Sequence, residues 1–232
     1  MSFLLVHGAG MDASCWDLLV PHLGSDVVAV DLPGRGSRSG EDLRQVTLNS
    51  CAEAIVAEAI KNDLDEITVV AHSFAGVSVP RAVGGLAGRL KNLVFLSAVV
   101  PPNGTRVIDG IDPTVREAVE SSLAGGIYSQ DPAAIPAMLC NDMDTELTDW
   151  TVSRVVDDAA ALLSEPVDLA GLKADVPRTY IRLTQDACYT PELQERSAQR
   201  VGGSTVFFDS GHMPMVSQPE ALARLLNELA TI

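Results

Sequence analysis

Residues 67–76 run Ile67-Thr68-Val69-Val70-Ala71-His72-Ser73-Phe74-Ala75-Gly76, an apolar strand pattern that passes directly into a turn of small residues around a serine. A serine hydroxyl is a weak nucleophile until the backbone presents it and a base takes its proton. A sharp strand-to-helix turn can present it, provided the residues two before and two after are small. Ala71 and Ala75 stand at those places, where the usual pattern has glycines. Such a serine calls for two later partners, in the chain order serine, Asp or Glu, histidine. Of the four histidines, His7, His22, His72 and His212, only His212 lies downstream of Ser73. It follows the strand pattern that ends at Phe208. Asp186 follows the strand pattern Arg178–Leu183 and precedes His212 by 26 residues (212 − 186), room for one helix and one strand. Taken singly, each has a plainer role: Ser73 as a helix cap, Asp186 as a turn residue, His212 as a loop histidine. Their joint placement at strand ends, in that order, argues for Ser73 as nucleophile, His212 as base and Asp186 as the acid that orients it.

Asp209 is a rival acid, but it sits three residues from His212 on the same loop and is poorly placed to reach the far imidazole nitrogen. The other position for the acid, after the strand Leu93–Leu96, offers Ser97-Ala98-Val99-Val100 and no carboxylate. His72 adjoins Ser73, so its side chain points elsewhere and reads as structural. An acyl-transfer site also needs two backbone N–H donors for the developing oxyanion. Leu4-Leu5-Val6 reads as a strand followed by His7-Gly8-Ala9-Gly10, which nominates the amides of Ala9 and Phe74. No Gly-x-Gly-x-x-Gly spacing opens a helix, and Asp31-Leu32-Pro33-Gly34-Arg35-Gly36 lacks the phosphate-loop lysine, so it reads as a tight turn. The substrate pocket is expected from Gly8, Met11, Phe74, Cys140, Met143, Trp150 and Met213, an apolar set suited to a small organic ligand.

Together these residues resemble the α/β-hydrolase superfamily, in the branch of plant methyl esterases and hydroxynitrile lyases with their bacterial esterase relatives. The resemblance runs through Val6-His7-Gly8-Ala9, Asp31-Leu32, Ala71-His72-Ser73, Asp186, Gly211-His212-Met213 and Gln218-Pro219-Glu220, and is weakest in the middle third. It implies a two-step hydrolysis of a small carboxylic ester. The lyases of this branch carry a threonine after the early histidine and a lysine after the catalytic one. Gly8 and Met213 stand there instead, on the esterase side. Ser73 also differs from the aspartate nucleophile of related carbon–halogen hydrolases. The rivals are a lyase using the same three residues, a biosynthetic tailoring enzyme, and a ligand receptor that binds without turnover.

Apolar runs alternating with helical patterns imply an α/β fold with a mostly parallel sheet of about six strands flanked by helices. Strands are expected near Phe3–Val6, Val27–Val30, Ile67–Ala71, Leu93–Leu96, Tyr180–Leu183 and Thr205–Phe208, and helices near Ser14–His22, Leu48–Ile60, Phe74–Leu86, Pro191–Gln199 and Pro219–Ala230. Ser217 and Glu220 have the spacing of a capping box for the last helix. The single domain then has a core of residues 1–100 and 173–232. The stretch between Leu96 and Tyr180, too long for a loop, reads as helical at Thr114–Leu123, Ala133–Leu139 and Glu146–Leu163, and the resemblance implies that it forms a helical cap over about 101–172. Because the chain begins at the strand bearing the His7–Gly10 loop, an N-terminal hairpin of larger relatives is expected to be absent.

The length of 232 residues suits one domain, and 47% apolar residues suffice for its core. A net charge of −15 without any basic cluster argues against nucleic acid and anionic membranes as partners. No apolar run has the length of a membrane span, and the N-terminus lacks the pattern of a secretory signal. Cys15, Cys51, Cys140 and Cys188 have no metal or redox spacing. The expectation is therefore a cytoplasmic protein with no metal and no cofactor, acting on a small-molecule ester; the oligomeric state is left open, a homodimer being one alternative.

Overall fold

The structure, a computed structural model, describes residues 1–24 and 26–231. Ser25 and Ile232, which fall within the expected core ranges, lie outside the described residues. Six parallel strands form the central sheet: β1 Ser2–Val6, β2 Asp26–Val30, β3 Ile67–His72, β4 Leu90–Leu96, β7 Arg178–Leu183 and β8 Ser204–Phe208. They lie in the order β2-β1-β3-β4-β7-β8. β5 Ile127–Tyr128 and β6 Asp158–Ala159 form a separate antiparallel pair. Parallel strands covered on both faces must be apolar on both faces. β1 and β3 accordingly are buried throughout, whereas the edge strands β2 and β8 carry exposed residues.

Alternate side chains supply two cores. Leu4, Val6, Val69, Ala71 and Phe95 face the helices Leu48–Lys61 and Pro191–Val201. Phe3, Leu5, Val70, Val94 and Ile181 face the helix Pro219–Ala230 and Trp16. In that last helix Leu222 and Leu226 are fully buried, each contributing about 1.5–3 kcal/mol over its exposed state.

Register brings the site together. Val6 pairs with Ala71, His72 with Leu96, Leu96 with Ile181, and Leu183 with Phe208. Because all six strands are parallel, the segments that follow β1, β3, β4, β7 and β8 emerge along one edge of the sheet. Ligands of open α/β sheets bind at that carboxyl edge, where the order of connection reverses, as it does here around β1.

Several local expectations need correction. Ser14–His22 is two 3₁₀ turns, Ala13–Trp16 and Val20–His22, because Pro21 and the Asp12 side chain bonded to the Ser14 N–H favour separate short turns. Phe74–Leu86 is broken into Ser73–Val77, Val79–Ala82 and Val83–Leu86, as Pro80 and the Gly84-Gly85 pair discourage a continuous helix. Glu146–Leu163 is also discontinuous: a helix at Thr145–Val152, then strand β6, then a short helix at Ala161–Ser164. Tertiary bonds override the helical pattern there, since the Val156 N–H donates to the Gly10 carbonyl and Asp158 is drawn inward. Ser217 caps nothing; it closes a helix at Pro214–Ser217 and donates to Asp142 Oδ2 at 2.8 Å.

Candidate active site

β3 ends at His72, and the chain turns so sharply that Ser73 takes φ +51°, a left-handed conformation costly for a serine. Ala71 and Ala75 are both buried, so their methyl groups fit where glycine would be expected. Gly8 leaves still less room, since a Cβ there would stand 2.7 Å from Ser73 Cβ. The early loop can pass the serine only because residue 8 has no side chain.

The Ser73 hydroxyl lies 3.1 Å from His212 Nε2, and His212 Nδ1 lies 2.8 Å from Asp186 Oδ2. With its Nδ1–H donated to the carboxylate, the imidazole keeps Nε2 free to accept from Ser73. All three side chains are buried. Asp186 is held on every side: Oδ2 also accepts from Ser97 Oγ at 2.6 Å, and Oδ1 accepts from the Cys188 and Tyr189 amides at 2.8 Å each. Burial works to raise its pKa, but the His212 imidazole and these hydrogen bonds outweigh that and hold it below the usual carboxylate range. Burial likewise opposes charging His212, yet the Cys188 sulfur and the Asp186 carboxylate prevail and raise its pKa above the ordinary value. Asp209 lies elsewhere: exposed, it accepts from Thr184 and from Gln185 Nε2, away from the imidazole.

Ser97, in the segment that held no carboxylate, thus carries a hydroxyl that holds Asp186, and its backbone too is left-handed at φ +41°. A hydrogen bond to a charged acceptor contributes about 1.5–3 kcal/mol. Ser97→Ala should therefore lower kcat about 10-fold with little change in KM. Steady-state kinetics that returned the wild-type kcat would show that Asp186 needs no such support.

The other histidines shape the surroundings. His72, Nε2 2.9 Å from the His212 carbonyl, has its pKa lowered to about 3 by burial and the adjoining His212, so it stays neutral and donates there. Burial and Arg35 lower His7 to about 4; its Nδ1 lies 2.8 Å from the Gly8 carbonyl and its Nε2 accepts from the Leu32 amide. His7 thereby links the loop that carries Ala9 to the segment after β2. The Ala9 N–H donates to no protein group among the described residues. Phe74 lies in the first turn of a 3₁₀ helix, where backbone N–H groups lack partners. Both residues line the cavity that exposes Ser73 and His212.

That loop is clamped from the segment between β4 and β7. Gly10 N–H donates to Asp158 Oδ2 at 2.9 Å, and Gln130 Nε2 donates to the Ala9 carbonyl at 3.2 Å. Asp158 in turn pairs with Arg35, both side chains fully buried and 2.9 Å apart. Burial pushes the Asp158 carboxyl up in pKa against the pull of Arg35. The tight turn expected at Asp31–Gly36 therefore has a second role: it delivers a cation to the interior. Neither charge could be assigned to the core from the sequence, where buried Arg and Asp are rare unless paired.

The cavity has a volume of about 290 Å³. Beyond Ser73, His212, Ala9 and Phe74, its walls include Val107, Ile111, Tyr128, Met138, Leu163 and Tyr189. Of the residues expected to form the pocket, Phe74 lines it. Gly8 backs onto Ser73; Met11, Cys140 and Met213 are buried in the core beside the helix Pro219–Ala230, with Met143 and Trp150 packed against that core. Apolar character alone could not tell wall from core. Cys188, which the sequence left unassigned, stands at the cavity next to His212.

The chain is similar throughout its length to known proteins. It is 29% identical over 240 residues to a probable hydrolase, R7, of Phoma sp., covering 98% of this chain and 97% of that protein. It is 26% identical to a carbendazim hydrolyzing esterase of Nocardioides sp., covering 98% and 99%. In structure it matches an extracellular alpha/beta-hydrolase from a Paenibacillus species with a TM-score of 0.87 at 20% identity, over 99% of this chain and 98% of that one. The alpha/beta hydrolase family pattern itself matches residues 3–225, and with that span, this sheet order and a serine turn after β3, the chain belongs to the alpha/beta hydrolase family.

Proposed function

We propose that the protein is a serine carboxylesterase that cleaves a small ester through an acyl-enzyme, with residues of about 101–172 acting as a cap over the site. One observation carries this reading: an unbroken hydrogen-bonded chain from Asp186 through His212 to Ser73, opening into a cavity lined by Ala9 and Phe74. Ser73 Oγ attacks the ester carbonyl carbon as His212 Nε2 takes its proton, and the carbonyl π electrons move onto oxygen. The Ala9 and Phe74 amides hold that oxyanion; one such donor accounts for about 10²–10³ in rate. His212 then gives its proton to the departing alcohol as the C–O bond breaks. Water repeats the sequence against the acyl-enzyme, releasing the acid and restoring Ser73. Asp186 stabilises the imidazolium at each stage and stays ionised. The substrate is a neutral ester, matched to walls without Lys, Arg, Asp or Glu side chains. The four free thiols suit a reducing cytoplasm.

Hydroxynitrile cleavage fits less well. A threonine at position 8 would bring its Cβ within 2.7 Å of Ser73 Cβ, and Met213, buried in the core, supplies no cation to hold cyanide.

The test is p-nitrophenol release from short-chain p-nitrophenyl esters, with a fluorophosphonate probe mapped by mass spectrometry. Turnover with the probe on Ser73 is expected; absence of both would sink the reading. Because His212 must start neutral and its pKa is raised, the acid limb of kcat/KM should have its midpoint above the ordinary histidine value of about 6.5. Activity rises with pH through that midpoint, and a rate constant down to pH 5 would exclude His212 as the base.

A further inference from the structure

His212 and Asp186 stand on separate loops, and both loops are held from one short stretch of the segment between β4 and β7. The helix Ile135–Leu139 ends at Cys140, and Asn141 and Asp142 follow. Asn141 Nδ2 donates at 2.8 Å to the carbonyl of Gln185, the neighbour of Asp186. Asp142 Oδ2 accepts three hydrogen bonds: from the Gly211 N–H at 2.8 Å, from Ser210 Oγ at 2.9 Å and from Ser217 Oγ at 2.8 Å. Gly211 immediately precedes His212. A Cβ on it would come 2.5 Å from Asp142 Oδ1 and 2.6 Å from Asn141 Oδ1, so only glycine lets the carboxylate approach this closely. The two loops are also joined to each other, through the Gln185 N–H and the Ser210 carbonyl at 3.0 Å.

None of the reaction steps uses Asp142. It does not line the cavity, and its hydrogen bonds go to Ser210, Gly211 and Ser217, with none to Ser73 or the imidazole ring. Bonds to an ionised acceptor are roughly twice as strong as neutral ones, and three of them converge on Asp142 Oδ2, one from the residue immediately before the base. Met138, in the same helix, forms part of the cavity wall. The surface a substrate touches and the anchor of the imidazole are therefore consecutive parts of one turn.

We infer that Asp142 is a positioning residue for His212, locking the loop that carries the base to the wall of the substrate cavity. The inference rests on reading His212 as the base. A displacement of about 1 Å in such a group can cost about 10²-fold in rate.

Asp142→Ala should lower kcat, and the rate of Ser73 labelling by a fluorophosphonate, about 10- to 100-fold, with KM within about 3-fold of wild type. Asp142→Asn is the conservative rescue. Its amide oxygen can occupy the place of Oδ2, and its NH₂ the place of Oδ1, which has no partner among the described residues. It should restore kcat to within about 3-fold of wild type. Wild-type kcat in Asp142→Ala, equal losses in the two variants, or a raised KM with kcat intact would each overturn the proposal. Should Asp142→Ala fail to fold, Gly211→Ala disturbs the same contact, because its methyl must displace Asp142 Oδ1 together with the neighbouring Asn141 Oδ1. Unchanged kcat in Gly211→Ala overturns the proposal, and a fall with KM intact supports it. Failure of the underlying catalytic reading looks different: the probe would then leave wild-type Ser73 unlabelled, whereas equal labelling of wild type and Asp142→Ala defeats this inference alone.

Discussion

Ser73→Ala and His212→Ala should each lower kcat on a p-nitrophenyl ester by about 10⁶-fold, and the double variant should fall no further. The reason lies in the geometry. Ser73 Oγ and His212 Nε2 form one hydrogen-bonded unit, and either half alone leaves a hydroxyl without a base or a base without a nucleophile. Asp186→Asn should cost about 10⁴-fold, because an amide at that place favours the wrong imidazole tautomer. Rates measured at high enzyme concentration, with the protein cleared of contaminating esterase, would check all four. Multiplying losses in the double variant would mean that Ser73 and His212 act independently.

The second large effect concerns stability. Arg35→Ala or Asp158→Ala leaves one buried charge without its partner, which costs about 3–5 kcal/mol. Replacing both, as Arg35→Met with Asp158→Leu, removes the desolvation penalty along with the attraction and should recover most of that loss. Urea unfolding of the three variants measures it. A double variant as unstable as either single one would mean that packing, rather than charge, decides the cost. The Asp158 variants should also lose activity beyond their lost stability, since Asp158 Oδ2 holds the Gly10 N–H beside Ala9.

The six central strands were legible because buried parallel strands read as short apolar runs, and each run appears in the sheet within a few residues of its expected bounds. Ser73, Asp186 and His212 could be named together because each follows such a run, and parallel strands deliver their C-terminal ends to one edge. The segment between β4 and β7 was far less legible. Val155 to Asp158 continues a helical pattern, but Gly10 and Arg35 draw those residues into an extended path, and both partners lie far away in the chain. Wall and core residues are equally apolar, so Met11, Cys140 and Met213 could not be distinguished from Val107, Ile111 and Leu163 before packing was known. Ser97 was visible only as a place without a carboxylate, although its hydroxyl bonds to Asp186, which lies elsewhere in the chain.

The tethers from the β4–β7 segment to the loops of the site set terms for directed evolution. A library aimed at substrate range can vary Val107, Ile111, Tyr128 and Leu163, whose side chains line the cavity and hold none of those loops. Gln130, Asn141, Asp142 and Asp158 are different: each makes a hydrogen bond to one of the loops that meet around Ser73, Asp186 and His212. A segment exchanged wholesale from a relative must bring matching partners for Ala9, Gly10, Gln185 and Gly211, or the new pocket arrives with its own chemistry out of register.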